Sequence, residues 1–185
     1  IKFAILREGY AQTVDAKFRQ YVDGCRKNGI EIKGVYHFSY ALNAEQAAQE
    51  AAFCIKQMEQ AGLGKDVIVF YDFEYDAVKK AKAKGVTLGK NECIAFTKAF
   101  CEYVESHGYK AGVYSNIDYH RNMYSDEVLS KYVYWLADYT GSPDYDCAFH
   151  QYTSSGTVSG IDGKVDMDYY YGEETKENQG EKKSV

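Results

Sequence analysis

The tripeptide Asp72-Phe73-Glu74 closes an apolar run, Val67-Ile68-Val69-Phe70-Tyr71. The run is β-branched and aromatic, contains no breaker, and reads as a buried strand. Residues i and i+2 of a strand share a side, so Asp72 and Glu74 look into one space at the end of a core strand. Two carboxyls forced together there interact, and one pKa rises. A protonated carboxyl beside an ionised one is what glycoside cleavage requires. The same pattern also describes an acidic strand end running into a solvated loop. Strand rise sets the two Cα atoms roughly 6.6 Å apart. That spacing does not separate a retaining pair, with carboxyls about 5–5.5 Å apart, from an inverting pair at about 6.5–9.5 Å.

The elements that must position this pair alternate along the chain. Strands are expected at Lys2 to Arg7, Gly34 to Phe38, Val67 to Glu74, Ala111 to Ser115, Tyr134 to Ala137, Ala148 to Gln151 and Val165 to Tyr169. Helices are expected near Val14 to Lys27, ended by Gly29, and from an Asn43 cap to about Ala61. A charged stretch at Asp76 to Lys84, a long helix near Gly89 to His107, and short helical turns over Ile117 to Lys131 complete the pattern. Strands alternating with helices imply a parallel sheet. Seven strands, the last three joined by loops, suggest an irregular TIM-like (β/α) barrel with function at the C-terminal strand ends. The candidates at those ends are Arg7 and Glu8, Tyr36 and His37, Asp72 and Glu74, Tyr114 to Asn116, Trp135, Gln151, and Asp166 with Asp168.

The 185 residues suffice for one domain with a large core, assigned to 1–171, with a polar, aperiodic segment from 172 to 185 expected as a disordered tail or linker. A net charge of −5 argues against nucleic acid and against electrostatic membrane binding. No apolar run approaches membrane-spanning length and no signal peptide is visible. The 19 tyrosines suit a sugar-lined cleft, where the ring stacks and the hydroxyl hydrogen-bonds, and equally suit a half-buried core. Five scattered cysteines form no C-x-x-C pair, so reduced, buried thiols are expected.

The chain resembles the glycoside hydrolase family 25 lysozymes, the N-acetylmuramidases of bacteria and phages. The resemblance rests on Phe3-Ala4-Ile5-Leu6-Arg7-Glu8-Gly9-Tyr10, Gly34-Val35-Tyr36-His37-Phe38, Tyr71-Asp72-Phe73-Glu74, Gly112-Val113-Tyr114-Ser115-Asn116, Tyr134-Trp135-Leu136-Ala137 and Val165-Asp166-Met167-Asp168, in family order from Ile1 to about Tyr171. It implies cleavage of the β-1,4 bond between N-acetylmuramic acid and N-acetylglucosamine in peptidoglycan, outside the cell or at its wall, with no metal or organic cofactor. Glu74 then resembles the general acid, Asp72 its partner carboxylate, and Asp166 an acidic residue lining the cleft from the last strand. Tyr36 resembles the tyrosine facing the reacting sugar, and Tyr114 and Trp135 the sugar platforms. Asn116, Gln151, Asp168 and Arg7 join them as substrate-binding candidates. His37 is expected as a hydrogen-bonded residue behind the site, His107 and His120 at the surface, and His150 where the family often has Trp. The family opens with a strand and helix carrying an Asp-x-Ser-type motif that has no counterpart in the sequence. The expectation is therefore a barrel without its first β/α unit and one carboxylate, with open edges at the first and last strands that invite self-association. Two other functions fit the same residues. One is a hydrolase in which Asp72, Glu74 and Asp166 hold a divalent cation; the other is a peptidoglycan-binding module with little or no turnover.

Overall fold

The structure, a computed structural model, describes residues 1–172; residues 173–185 of the expected tail lie outside the described residues. The eight strands are β1 (Phe3–Tyr10), β2 (Thr13–Val14), β3 (Glu31–Phe38), β4 (Ile68–Asp72), β5 (Ala111–Asn116), β6 (Val133–Ala137), β7 (Phe149–Gly156) and β8 (Val165–Tyr170). The helices are α1 (Phe18–Lys27), α2 (Ala44–Gln60), α3 (Tyr75–Ala83), α4 (Lys90–Ser106), α5 (Ile117–Asn122) and α6 (Asp126–Lys131). The strands form one sheet in the order β2-β1-β3-β4-β5-β6-β7-β8. It is parallel from β1 to β7 and closes in an antiparallel hairpin at each end, β1 with β2 and β7 with β8.

One feature departs from the sequence-based expectation. Val14, where a helix was expected to begin, instead forms with Thr13 a short strand folded back on β1. Asp15 explains it: its side chain accepts from the Lys17 N–H at 2.9 Å and its carbonyl from the Phe18 N–H, so the helix begins only at Phe18. The last strand, joined to β7 by a loop rather than a helix, runs antiparallel to it, as the short loop between them permits. The other expected elements are present, with β1 running on to Tyr10, β3 starting earlier at Glu31 and β7 running on to Gly156. Asn43 caps α2 by accepting from the Gln46 N–H at 2.9 Å, and the Gln46 side chain accepts from the Leu42 N–H at 2.8 Å.

The sheet divides the apolar residues by strand alternation. Val69, Tyr71 and Phe73 face the helices and join Phe18, Met58, Phe100 and Val104 in the larger core. Ile68 and Phe70 face inward with Trp135 and Phe149. The sheet curls enough that Phe3 of β1 meets Phe149 and Tyr170 across the interior, with ring centroids at 5.8 and 6.2 Å. The fold is a curled, barrel-like α/β half-barrel. Among the described residues β8 pairs on one side only, and the free side of β1 takes β2 only at Gly9 and Tyr10.

Phe70 is the interior's centrepiece, fully buried with its ring against Trp135 at 5.3 Å and Phe149 at 5.6 Å. The flanking strands make room with glycine: a Cβ at Gly112 would lie 2.4 Å from the Phe70 ring, and one at Gly34 2.6 Å. Forced overpacking costs about 1–3 kcal/mol, and each kcal/mol moves Tm by about 2–4 °C in a domain of this size. Gly112→Ala should therefore lower Tm by roughly 2–12 °C. In a double-mutant cycle, Phe70→Leu should relieve part of that loss, because the clash disappears with the ring. Strictly additive losses would show that the ring does not set the need for glycine.

Candidate active site

Alternation on β4 sends Ile68, Phe70 and Asp72 into the interior, and Glu74, although beyond the strand, keeps extended backbone (φ −130°, ψ −179°). The i, i+2 relation therefore survives the strand end. A buried polar network fixes that end. The Ser39 N–H donates to the Asp72 carbonyl at 2.7 Å. The Tyr71 hydroxyl donates to Ser39 Oγ at 3.0 Å, and Ser39 donates in turn to Glu50 Oε2 of α2 at 2.5 Å. Glu50 Oε1 accepts from the Tyr40 N–H at 3.0 Å. One helix carboxylate thus ties together the C-terminal ends of β3 and β4.

The pair opens into a cleft of about 210 Å³ lined by Arg7, Tyr36, Phe38, Asp72, Glu74, Tyr114, Trp135, Gln151 and Asp166. Asp72 is almost fully buried, and its Oδ1 has no hydrogen-bond partner among the described residues. Burial, reinforced by the Glu74 charge and a hydrogen bond to Glu74, drives the Asp72 carboxyl far above the usual carboxylate range. Burial also raises Glu74; the Asp166 charge adds to this, and the hydrogen bond with Asp72 opposes it. Burial raises Asp166 as well. Two carboxyls joined in this way share a proton and titrate as a pair. Burial, with the Asp72 charge second, pushes the Tyr36 hydroxyl up, so it remains a neutral donor facing the carboxylates.

Eight of the ten residues expected at the site line this cleft, and two do not. Asn116 is spent as the N-cap of α5, its side chain accepting from the Tyr119 N–H at 2.9 Å. Asp168 accepts from the Trp135 indole N–H at 2.7 Å, and burial pushes its carboxyl up to about 6. It anchors the tryptophan from behind. Trp135 itself is 4% exposed and Tyr114 8%, so they form the cleft floor, edge to face at 4.8 Å, rather than open platforms. Arg7 reaches the cleft while paired with Asp15 at 2.5 Å.

Glu8, grouped with Arg7 by position, lies on the other side of the sheet. The β1–β3 register shifts between Arg7 and Gly9, and Glu8 is buried against His37 Nδ1 at 2.8 Å. His37 is thus hydrogen-bonded behind the site, as expected. These two with Cys54 are the one group of three potential metal-ligating side chains whose donor atoms all lie within 4.8 Å among the described residues; Asp72, Glu74 and Asp166 do not form such a group. His120, expected at the surface, is buried instead, with Nδ1 2.8 Å from the Tyr134 hydroxyl and its ring stacked on Tyr145 at 3.5 Å. His107 is exposed, stacked on Tyr103. His150 is buried, with Nε2 2.7 Å from the Asp138 carbonyl, and lies outside the cleft. Phe38 and Tyr139 join the site although neither is among the sequence-based site candidates; Phe38 shares the Tyr36 side of β3 by alternation. Tyr139 donates to Gln151 Oε1 at 2.6 Å, and only its place just past the end of β6 marks it.

The Glycosyl hydrolases family 25 model matches residues 1–161. The chain belongs to that family. It is 27% identical over 168 residues to the autolytic lysozyme of Clostridium acetobutylicum, covering 88% of this chain and 46% of that protein. The modular autolysin LytC from Streptococcus pneumoniae, solved in complex with a synthetic peptidoglycan ligand, superposes with a TM-score of 0.80 at 25% identity, over 92% of this chain and 41% of that one. The bacterial lysozyme from Streptomyces coelicolor shares the fold, with a TM-score of 0.69 at 17% identity over 93% and 82% of the two chains. The chain thus spans less than half of the autolysins it matches.

In this family 25 site the buried pair has a measurable cost. Below the unfolded carboxylate range, about 3.9 for Asp, both states hold the Asp72 proton and stability is undiminished. As pH rises, the unfolded state ionises freely while folded Asp72 resists, so stability is lost up to its raised folded pKa. Asn does not titrate. Asp72→Asn should therefore raise Tm at pH 8 more than at pH 4. A Tm difference that is constant with pH would show that Asp72 ionises in the folded protein as freely as in the unfolded chain.

Proposed function

We propose that the chain is an N-acetylmuramidase that hydrolyses the β-1,4 bond between N-acetylmuramic acid and N-acetylglucosamine in peptidoglycan, acting at the cell wall. The observation that carries this reading is the buried Asp72–Glu74 pair, which shares a proton on an aromatic-floored cleft with Asp166 opposite. The relatives' names, an autolytic lysozyme and an autolysin solved with a peptidoglycan ligand, support it. Among the described residues no helix is long and apolar enough to cross a membrane.

The chemistry follows from the two environments. The substrate's 2-acetamido N–H is a donor for Asp72, whose Oδ1 is otherwise unpartnered. That hydrogen bond favours charge on Asp72 and moves the shared proton to Glu74. Glu74 gives the proton to the leaving glycosidic oxygen while the acetamido oxygen attacks the anomeric carbon. Glu74, now ionised, takes a proton from the water that opens the resulting ring, and the anomeric configuration is retained. Tyr36 donates from the facing wall, and Arg7, Gln151 and the Trp135–Tyr114 floor position the sugars.

Glu74→Gln keeps the shape and removes the proton donor. General acid catalysis contributes about 10²–10⁴-fold, so kcat on purified peptidoglycan should fall by at least about 100-fold with Tm and glycan binding retained. Binding without turnover in the unmutated chain would instead support the binding-module reading. Asp166→Asn removes a charge that holds the Glu74 pKa up, so the Glu74 proton is lost at lower pH. The alkaline limb of the kcat profile should move to lower pH, and an unmoved limb would show that Asp166 does not act on Glu74.

A further inference from the structure

A second hollow of about 230 Å³ lies beside the cleft, among Tyr10, Ala11, Tyr40, Leu42, Lys80 and Lys84. Aromatic contacts link its wall to that of the cleft. Phe38 of the cleft wall lies 5.1 Å from the Tyr40 ring, and Tyr40 lies 6.2 Å from Tyr10. Its walls combine apolar and cationic groups. Tyr10, Tyr40, Leu42, Ala77 and Ala81 supply apolar surface. Lys80 lies over the Tyr40 ring at 3.8 Å, held by Asp76 at 3.0 Å, and Asp76 accepts the Tyr40 hydroxyl at 2.5 Å. Lys84 is exposed and has no side-chain partner among the described residues.

The lysines are concentrated here against the trend of the chain. The net charge is −5, yet Lys79-Lys80-Ala81-Lys82-Ala83-Lys84 holds four cations and no acid. The opposite wall is built with strain. Ala11, a non-glycine residue at φ +49°, turns the β1–β2 hairpin over the hollow and donates its N–H to the Phe38 carbonyl at 3.3 Å. Left-handed backbone at a residue with a Cβ is costly and clusters at ligand-binding positions.

We propose that this hollow binds the acidic peptide attached to the glycan strand, with Lys84 taking a peptide carboxylate and Tyr10 and Tyr40 flanking the peptide's small apolar side chains. The proposal rests on the muramidase reading. On a peptide-bearing strand the lactyl carboxyls of the sugars are spent in amide bonds, so the carboxylates it carries are on its peptides. The cleft itself is lined by three carboxyls, Asp72, Glu74 and Asp166, so an acidic branch is directed outward, toward the hollow where Lys84 stands exposed.

The test uses glycan strands from one wall preparation, with peptides intact, or removed by an amidase and the freed lactyl carboxylates capped as methylamides, and the released peptides as an NMR probe. The unmutated chain should show a lower KM on peptide-bearing strands. Lys84→Glu, at an exposed position away from the reacting groups, should raise that KM by roughly 3–5-fold. It should leave kcat and the kinetics on bare strands unchanged. Released peptides should shift the Ala77 and Ala81 amides. Equal KM on both substrates, or a Lys84→Glu chain with unaltered KM, overturns the proposal. Amide shifts without cleavage of either substrate would support the peptide site while overturning the muramidase reading, and cleavage of both at equal KM without shifts would do the reverse.

Discussion

Desolvation of the Asp72 carboxyl is the constraint around which the rest of the site is arranged. A carboxylate removed from water is unstable unless it is paired or protonated, and Asp72 is 4% exposed with one oxygen unpartnered. The second carboxyl two residues on turns that liability into a shared proton. Such a pair works only if it is held still. The Ser39–Glu50–Tyr71 network and the Ser39 N–H on the Asp72 carbonyl do this from the helix side of the sheet. A second buried carboxyl, Glu50, thus stabilises the position of the first, and its own burial is offset by two hydrogen bonds.

The two faces of the sheet divide the labour. The helix face carries the larger apolar core and the enclosed Glu8–His37 contact, and sets where each strand ends. The inner face carries fewer, larger side chains, and Phe70, Trp135 and Phe149 fill it nearly to the strand ends. The cleft is the space left above that aromatic plug. Trp135 is therefore both core and cleft floor, and Asp168 serves the site by fixing the indole N–H rather than by reaching the cleft.

The strand ends, the Asp72–Glu74 relation and eight of the ten expected site residues were legible because each depends on period-two alternation, a local property. Asn116 and Asp168 were misplaced because alternation gives a side, not a partner. Asn116 meets the first turn of α5 and Asp168 meets an indole 33 residues away in sequence. Glu8 was grouped with Arg7 by strand-end position alone; adjacent strand residues point to opposite faces, and Glu8 accordingly meets His37 behind the sheet. His120 carries no pattern that announces burial; Tyr134 and Tyr145, 14 and 25 positions on, enclose it. The β2 hairpin was hidden because Thr13 and Val14 abut a well-patterned helix, and only the Asp15 turn separates them.

Charge placement along the rim follows the same logic of separation. The cleft gathers three carboxyls and a single arginine, and that arginine is already engaged by Asp15. A like-charged ligand group entering it would meet repulsion in a partly desolvated space, where screening is weak. The cationic run of α3 begins five residues after Glu74, on the helix for which Glu74 is the N-cap. The length of α3 therefore separates Glu74, at its N-cap, from Lys84, at its C-cap. The distance between the two is set by a helix rather than a loop. A rigid offset of opposite charge would give a long, unevenly charged ligand one favourable orientation across the site, with its neutral part over the carboxyls and its acidic part toward the lysines. Reversing the ligand would place carboxylate against carboxylate. In such a site the charge pattern contributes more to orientation than to affinity, and the net negative charge of the chain elsewhere leaves the α3 face as the local exception.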